Sequence, residues 1–248
     1  GDPAFPPCAL MPRGGFYFDS LPRQKRLDES ALDPRDNMEE FQPLAADVLE
    51  HYRTESERVY RETDCGILMV APGMALGDIA LVPGPFLKDP RGIRDVAEWY
   101  VSTLTRRDYL KAVFQHQVDV GLENLTRLYE AVGDRAQVVF MSGTDFGTQN
   151  APMLSCDSYR DLYLPYQRAL NDWVHGHTPW KTFIHSCGAV EPLIPAFIEA
   201  GFDILNPVQC GAAGMAPAML KEKYGDRIVF WGGGVDTQKT LPFGTPDA

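Results

Sequence analysis

From residue 181 onward the chain repeats one rhythm. An apolar run at 181–185 is followed by an amphipathic stretch at 190–200, then an apolar run at 203–206, an amphipathic stretch at 216–224 and a last apolar run at 227–231. Strands that are apolar throughout are covered on both faces, and regular alternation with helices gives a parallel sheet. Two earlier runs, 65–71 and 137–141, read as strands of the same kind, with helical spacing at 44–61, 92–104, 108–132 and 157–175. Gly133-Asp134 is a helix stop, and Pro165 predicts a kink or break in the last of these helices. No Gly-x-Gly-x-x-Gly joins a strand to a helix, since Gly232-Gly233-Gly234 runs into Val235-Asp236. A dinucleotide-binding sheet is therefore the weaker choice against a barrel.

The first 45 residues obey a different rule. Pro3, Pro6, Pro7, Pro12, Pro22 and Pro34 interrupt any period, which predicts an irregular opening segment with a short hairpin around Gly14-Gly15-Phe16-Tyr17-Phe18. At the other end, Thr245-Pro246-Asp247-Ala248 has the character of a helix cap and first turn. About five strong strands appear where a closed barrel has eight. The expectation is a single α/β domain over 1–248, a (β/α)8 TIM barrel incomplete at its C-terminal end.

Composition narrows the partners. Against 34 acidic residues stand 23 basic ones, a net charge of −11, and no basic stripe is present to meet nucleic-acid phosphates. No apolar run nears the ~18 residues that span a bilayer, and no leader pattern opens the chain, so a cytoplasmic protein without a membrane partner is expected. Its five cysteines, at 8, 65, 156, 187 and 210, are odd in number and widely spread, which suits reduced thiols or metal ligands. Cys8, Cys65 and Cys156 are read as structural.

Chemistry gathers at the carboxyl ends of parallel strands. The polar residues just past each predicted strand are, in chain order, Asp78; then Asp145 and Gln149; then His185 and Cys187; then Gln209 and Cys210; then Asp236 and Gln238. An imidazole and a thiol two residues apart supply two ligands of a four-coordinate zinc site, and Cys210, one strand along, is the visible third. Asp145, Gln149 and Asp236 are the catalytic candidates, and Asp78, Gln209 and Gln238 the substrate-binding ones. Asp145 also suits a loop cap and Asp236 a turn. His175 and His177 at a helix end fit the helix dipole better than a metal pair.

Several segments together resemble the uroporphyrinogen decarboxylase superfamily: Gly143-Thr144-Asp145-Phe146-Gly147-Thr148-Gln149, Tyr159 through Pro165-Tyr166, Ala200-Gly201-Phe202-Asp203-Ile204-Leu205-Asn206, and Tyr224-Gly225-Asp226-Arg227 leading to Trp231-Gly232-Gly233-Gly234-Val235-Asp236. The resemblance covers most of residues 65–246. The last segment departs from the family's strand end, with Gly-Val in place of part of it and no proline after Asp236. The likeness implies a (β/α)8 barrel and two branches. True decarboxylases take a carboxylated tetrapyrrole without metal, using an arginine-rich opening loop, which Arg13, Arg23 and Arg26 imitate without matching its signature. The other branch, similar to methylcobalamin:coenzyme M methyltransferase, places a zinc His-x-Cys on this same strand, matching His185 and Cys187, with a further cysteine near the domain's C-terminal end, which puts a residue beyond Ala248 alongside Cys210 as the expected third ligand. That likeness implies a zinc-dependent methyltransferase moving a methyl group between a corrinoid cofactor (methylcobalamin), or a corrinoid protein, and a thiol or other small acceptor. The alternative it implies is a metal-free decarboxylase of a porphyrinogen-like substrate. A non-enzymatic module that binds a corrinoid protein is the third class.

Overall fold

The computed structural model describes residues 7, 9–15, 19–21 and 23–245. A two-stranded antiparallel ladder pairs β1 (Ala9–Leu10) with β2 (Asp19–Ser20). The expected hairpin is present, but Phe16, Tyr17 and Phe18 lie outside the described residues, as do Cys8 and Pro246, Asp247 and Ala248. A 3-10 turn at Pro34–Asn37 precedes helix α1 (Ala46–Glu62).

Next come strand β3 (Leu68–Val70), helices α2 (Val96–Thr105) and α3 (Arg107–Val132), and strand β4 (Val138–Ser142). Helices α4 (Cys156–Leu162) and α5 (Leu164–His177) lead to strand β5 (Lys181–His185). Helix α6 (Ile194–Glu199), strand β6 (Ile204–Asn206), helix α7 (Pro217–Tyr224), strand β7 (Val229–Phe230) and the short helix α8 (Thr240–Phe243) complete the order. Pro165 does break its helix: it stands in the first turn of α5, where a missing N–H costs nothing.

The large sheet runs β3-β4-β5-β6-β7, all parallel, in sequence order. Each new strand adds on the same side as the one before. A doubly wound sheet would reverse direction at its switch point, and this one does not. Such an order is compatible with the arc of a barrel, although β3 and β7 are not paired with each other among the described residues, so closure is not seen.

The helices lie on one face. Met69, Val139, Met141, Ile184 and Leu205 point into them and join Leu110, Phe114, Leu125, Leu128 and Val174 in a continuous core. With Val118, Gly121 and Val132, those α3 positions recur every three or four residues, as a helix packed along one stripe requires. The opposite face carries a register row of Val70, Phe140, Phe183, Ile204 and Val229. Val70 and Val229, at its two ends, are 53% and 58% exposed, so this face is open at the edges of the arc. Among the described residues no helix is long and apolar enough to cross a membrane.

Candidate metal centre

Because all five strands run the same way, their carboxyl ends share one rim. His185 is the last residue of β5, and the chain turns there, so Cys187 folds back until its Sγ lies 3.3 Å from His185 Nε2. Asp145 comes from the loop after β4. Its Oδ1 accepts the backbone N–H of Cys187 at 2.6 Å and stands 3.9 Å from His185 Nε2. The side chain thus caps the next strand's loop rather than its own.

Two glycines allow this approach. A Cβ built on Gly188 would fall 2.5 Å from the Gly147 carbonyl carbon, and one on Gly147 would fall 2.7 Å from the Cys187 oxygen. With no side chains between them, the two loops touch backbone to backbone, and Ala189 N–H donates to the Thr148 carbonyl at 2.8 Å. The Ser186 hydroxyl accepts the N–H of Phe146 at 3.0 Å from the other side.

The tautomer of the neutral imidazole is set by its neighbours. Asn206 ends β6 and is the register partner of His185. Its Nδ2 donates to the Trp231 carbonyl at 2.8 Å, and a carbonyl can only accept, so Oδ1 faces His185. His185 Nδ1 sits 2.6 Å from that Oδ1 and must therefore carry the proton. Nε2 is left with its lone pair toward Cys187 and Asp145, the tautomer a metal ligand needs.

His185, Cys187 and Asp145 each offer one ligand atom, and these atoms lie within 4.8 Å of one another. Around a tetrahedral zinc, with Zn–S near 2.3 Å and Zn–N and Zn–O near 2.0–2.2 Å, neighbouring ligands stand roughly 3.3–3.6 Å apart. Separations of 3.3 and 3.9 Å need only a small side-chain adjustment to meet that geometry. One nitrogen, one sulfur and one carboxylate oxygen form a set that suits zinc and leaves a fourth position open. Burial and the nearby Asp145 carboxylate push the Cys187 thiol up to about 11.

The other predicted residues are distributed around this group. Gln209 Oε1 accepts the Gly188 N–H at 3.0 Å, and its Nε2 donates to Gln149 Oε1 at 3.0 Å, so both glutamines brace the Cys187 loop. Burial raises the Asp78 carboxyl, with the Asp145 charge adding to the rise and His185 opposing it, which puts Asp78 in the same electrostatic neighbourhood. Asp236 Oδ1 accepts the N–H groups of Gln238 at 2.8 Å and Lys239 at 3.1 Å, the turn-stabilising role that was its alternative. Gln238 is exposed beside it. Cys210 is a half-buried free thiol and is not one of the three clustered ligands. His175 binds Asp203 at 2.8 Å, and His177 stacks on Trp173, so neither joins a metal group.

Three contributors carried no sequence-based assignment. Asn206 was findable, because a parallel register sets the last residue of β6 beside His185. Tyr100, whose hydroxyl donates to the Asp145 carbonyl at 2.9 Å, comes from α2, and no local spacing points to it. Phe140 stacks on the His185 ring at 6.4 Å, two strand positions before the loop that bears Asp145.

No protein-family model matches the chain, and no curated protein matches it in sequence. Among solved structures it is similar to a methyltransferase from Methanosarcina mazei, at 17% identity over 74% of this chain, with a TM-score of 0.46. The chain spans 46% of that protein's length.

Proposed function

We propose that His185, Cys187 and Asp145 hold a zinc ion and that this centre serves methyl transfer between a corrinoid, free or carried by a separate corrinoid protein, and a small acceptor. The observation that carries the metal reading is the convergence of an imidazole with a lone pair on Nε2, a thiol and a carboxylate at the shared strand rim. Methyl transfer, and the corrinoid as donor, are supported by the sequence resemblance: the His-x-Cys at the end of this strand together with the Gly143–Gln149 and Ala200–Asn206 segments.

When bound, zinc would supply Lewis acidity, lowering the pKa of a thiol or other acceptor at its open position so that it attacks as an anion at neutral pH. The protein's own contribution is positional. Asn206 keeps the His185 proton on Nδ1, away from the metal side. Cys187 N–H engages Asp145 Oδ1 and fixes the carboxylate's direction. The Gln209 and Gln149 pair holds the Cys187 loop.

A second reading has geometric support. Cys187, His185 and Asn206 are arranged as a thiol, a base and an orienting amide, at 3.3 and 2.6 Å. A nucleophilic cysteine has a depressed pKa, however, and Cys187 stands at about 11 with a carboxylate beside it. The metal reading explains that carboxylate and the nucleophile reading does not. Of the three arginines that imitate the decarboxylases' opening loop, Arg13, Arg23 and Arg26, Arg23 is engaged: it donates to the Gly84 and Leu87 carbonyls.

Metal analysis of the purified protein decides between these readings. About one equivalent of zinc is expected, falling below roughly a tenth in His185→Ala and Cys187→Ser. Methylcobalamin should then be demethylated by the zinc-loaded protein with a small acceptor, monitored by absorbance. Metal content untouched by either substitution would sink the zinc centre. A zinc centre with no demethylation across thiol and phenolate acceptors would sink the assigned reaction.

A further inference from the structure

A cavity of about 390 Å³ lies between the loop after β3 and strand β4. That is within the ~300–1,000 Å³ range of small-ligand pockets. Its walls are mostly hydrocarbon and include Phe41, Leu81 and Phe140, with the 78% exposed Phe86 on its open side, and among the described residues its only ionisable side chains are Glu40 and Asp78. Glu40 is already neutralised by the buried Arg94 at 2.7 Å. Asp78 is different. Its Oδ1 accepts the Ala80 N–H at 2.8 Å, while Oδ2 has neither a hydrogen-bond donor nor a cation at ion-pair distance among the described residues.

Among the described residues no Lys, Arg or His lines the cavity. Arg94 and Arg23 stand behind its wall but are engaged by Glu40 and by the Gly84 and Leu87 carbonyls, so the one lining charge without a partner is the Asp78 carboxylate, which disfavours a carboxylate, sulfonate or phosphate. An apolar cation would meet both of its preferred surroundings. Phenylalanine faces attract a positive charge through the ring quadrupole, and a methylated ammonium sheds its loosely held water at little cost. The far wall points the same way, since Phe140 also stacks on the His185 ring at 6.4 Å, so a head group held here lies next to the metal centre.

We propose that this cavity binds a methylated ammonium head group, with Asp78 as its counter-ion and Phe41, Phe86 and Phe140 as its aromatic walls. That this compound is the small-molecule substrate of the centre rests on the zinc methyl-transfer reading; the binding itself does not.

The test separates the two. The whole chain, freed of metal with a chelator, is titrated by ligand-observed NMR with choline, with its uncharged isostere 3,3-dimethylbutan-1-ol and with the anion 3,3-dimethylbutanoate. Choline should bind at least about tenfold more tightly than the alcohol, a difference in the range of a desolvated cation–π contact, and the anion should not saturate. Asp78→Asn, which keeps an oxygen for the Ala80 N–H, should bring choline to within about twofold of the alcohol. Equal or tighter binding of the alcohol or the anion, absence of choline binding, or a choline preference that survives Asp78→Asn in folded protein overturns the proposal. If the variant does not fold, the three-ligand comparison on the unsubstituted chain decides alone. Choline binding in a protein that takes up no zinc would leave this site standing and remove the metal-centred reaction.

Discussion

The direction of one amide decides what His185 can do. Asn206 Nδ2 is committed to the Trp231 carbonyl, so its oxygen holds the imidazole N–H and the other ring nitrogen is free to ligate. Removing that oxygen while keeping the volume, as in Asn206→Leu, should weaken zinc binding about 10- to 100-fold, the usual effect of losing an orienting partner. Asn206→Asp restores an acceptor toward Nδ1 and should recover part of the loss, a rescue that a purely structural role would not give. Competition against a chromophoric chelator measures both. Cys187 supplies a second residue-scale prediction. With the thiol held at about 11 by burial and by Asp145, the protonated form dominates at pH 8, so metal-free protein should be alkylated there more slowly at Cys187 than at the exposed Cys65. The Cys187 rate should climb as pH rises toward 11 and increase at pH 8 in Asp145→Asn, measured by mass spectrometry of each peptide. Faster alkylation of Cys187 than of Cys65 at pH 8 would favour the nucleophile reading. At this scale the sequence singled out His185 and Cys187 by their spacing, their strand-end position and the family resemblance, and the structure brings their ligand atoms together. The sequence pointed to Cys210 as a third ligand on topology, whereas the carboxylate that joins the group comes from the other neighbouring strand. The choice depends on which loop folds inward, and that is set by glycines whose purpose appears only when the two backbones meet.

Elements place those residues through the loop contact between the ends of β4 and β5. Gly188 lies at φ +87, a left-handed conformation costly for any side chain, and a Cβ there would also strike Gly147. Gly188→Ala should therefore destabilise the fold by more than about 1 kcal/mol, because both the backbone and the contact resist it. A lower urea midpoint with an unchanged slope would report that loss. The same substitution should weaken zinc binding, because it parts Asp145 from the Cys187 N–H; zinc affinity equal to the parent would disconnect the loop contact from the site. The strand and helix order was legible for a related reason: buried parallel strands are apolar without interruption, and 181–185 was matched to its ends. Other boundaries were not, since apolar runs outlast their ladders: the run at 65–71 pairs only over Leu68–Val70 and that at 227–231 only over Val229–Phe230. The run at 157–175 became two helices because Pro165 cannot donate to the turn before it. Helix α8 was missed because four residues give no period to read.

At the scale of the whole molecule, the opening segment is irregular in sequence yet tied to the helical layer through one buried cation. Arg94 is 1% exposed and donates to Glu40 at 2.7 Å, to the Asp36 carbonyl at 2.7 Å and to the Arg91 carbonyl at 2.6 Å. Asn37 adds a second tie, giving its amide N–H to the Ile93 carbonyl at 3.0 Å and accepting the Ile93 N–H at 2.8 Å. None of this was visible to a periodicity argument, because side-chain to backbone bonds across more than 50 positions leave no local pattern. The tie also matters to the cavity: Glu40 and Phe41 line it, and Glu40 stays neutralised there only while Arg94 holds it. Arg94→Met keeps most of the buried volume but leaves the Glu40 carboxylate without its partner. Breaking a buried pair from one side costs about 3–5 kcal/mol; the stranded Glu40 is 20% exposed, so a loss toward or below the lower end of that range is the expected outcome in urea unfolding. The double substitution Arg94→Met with Glu40→Gln removes the stranded charge as well and should recover a substantial part of the loss. Additive losses would mean that the guanidinium acts through the Asp36 and Arg91 carbonyls alone, and that the charge balance of the cavity is set elsewhere.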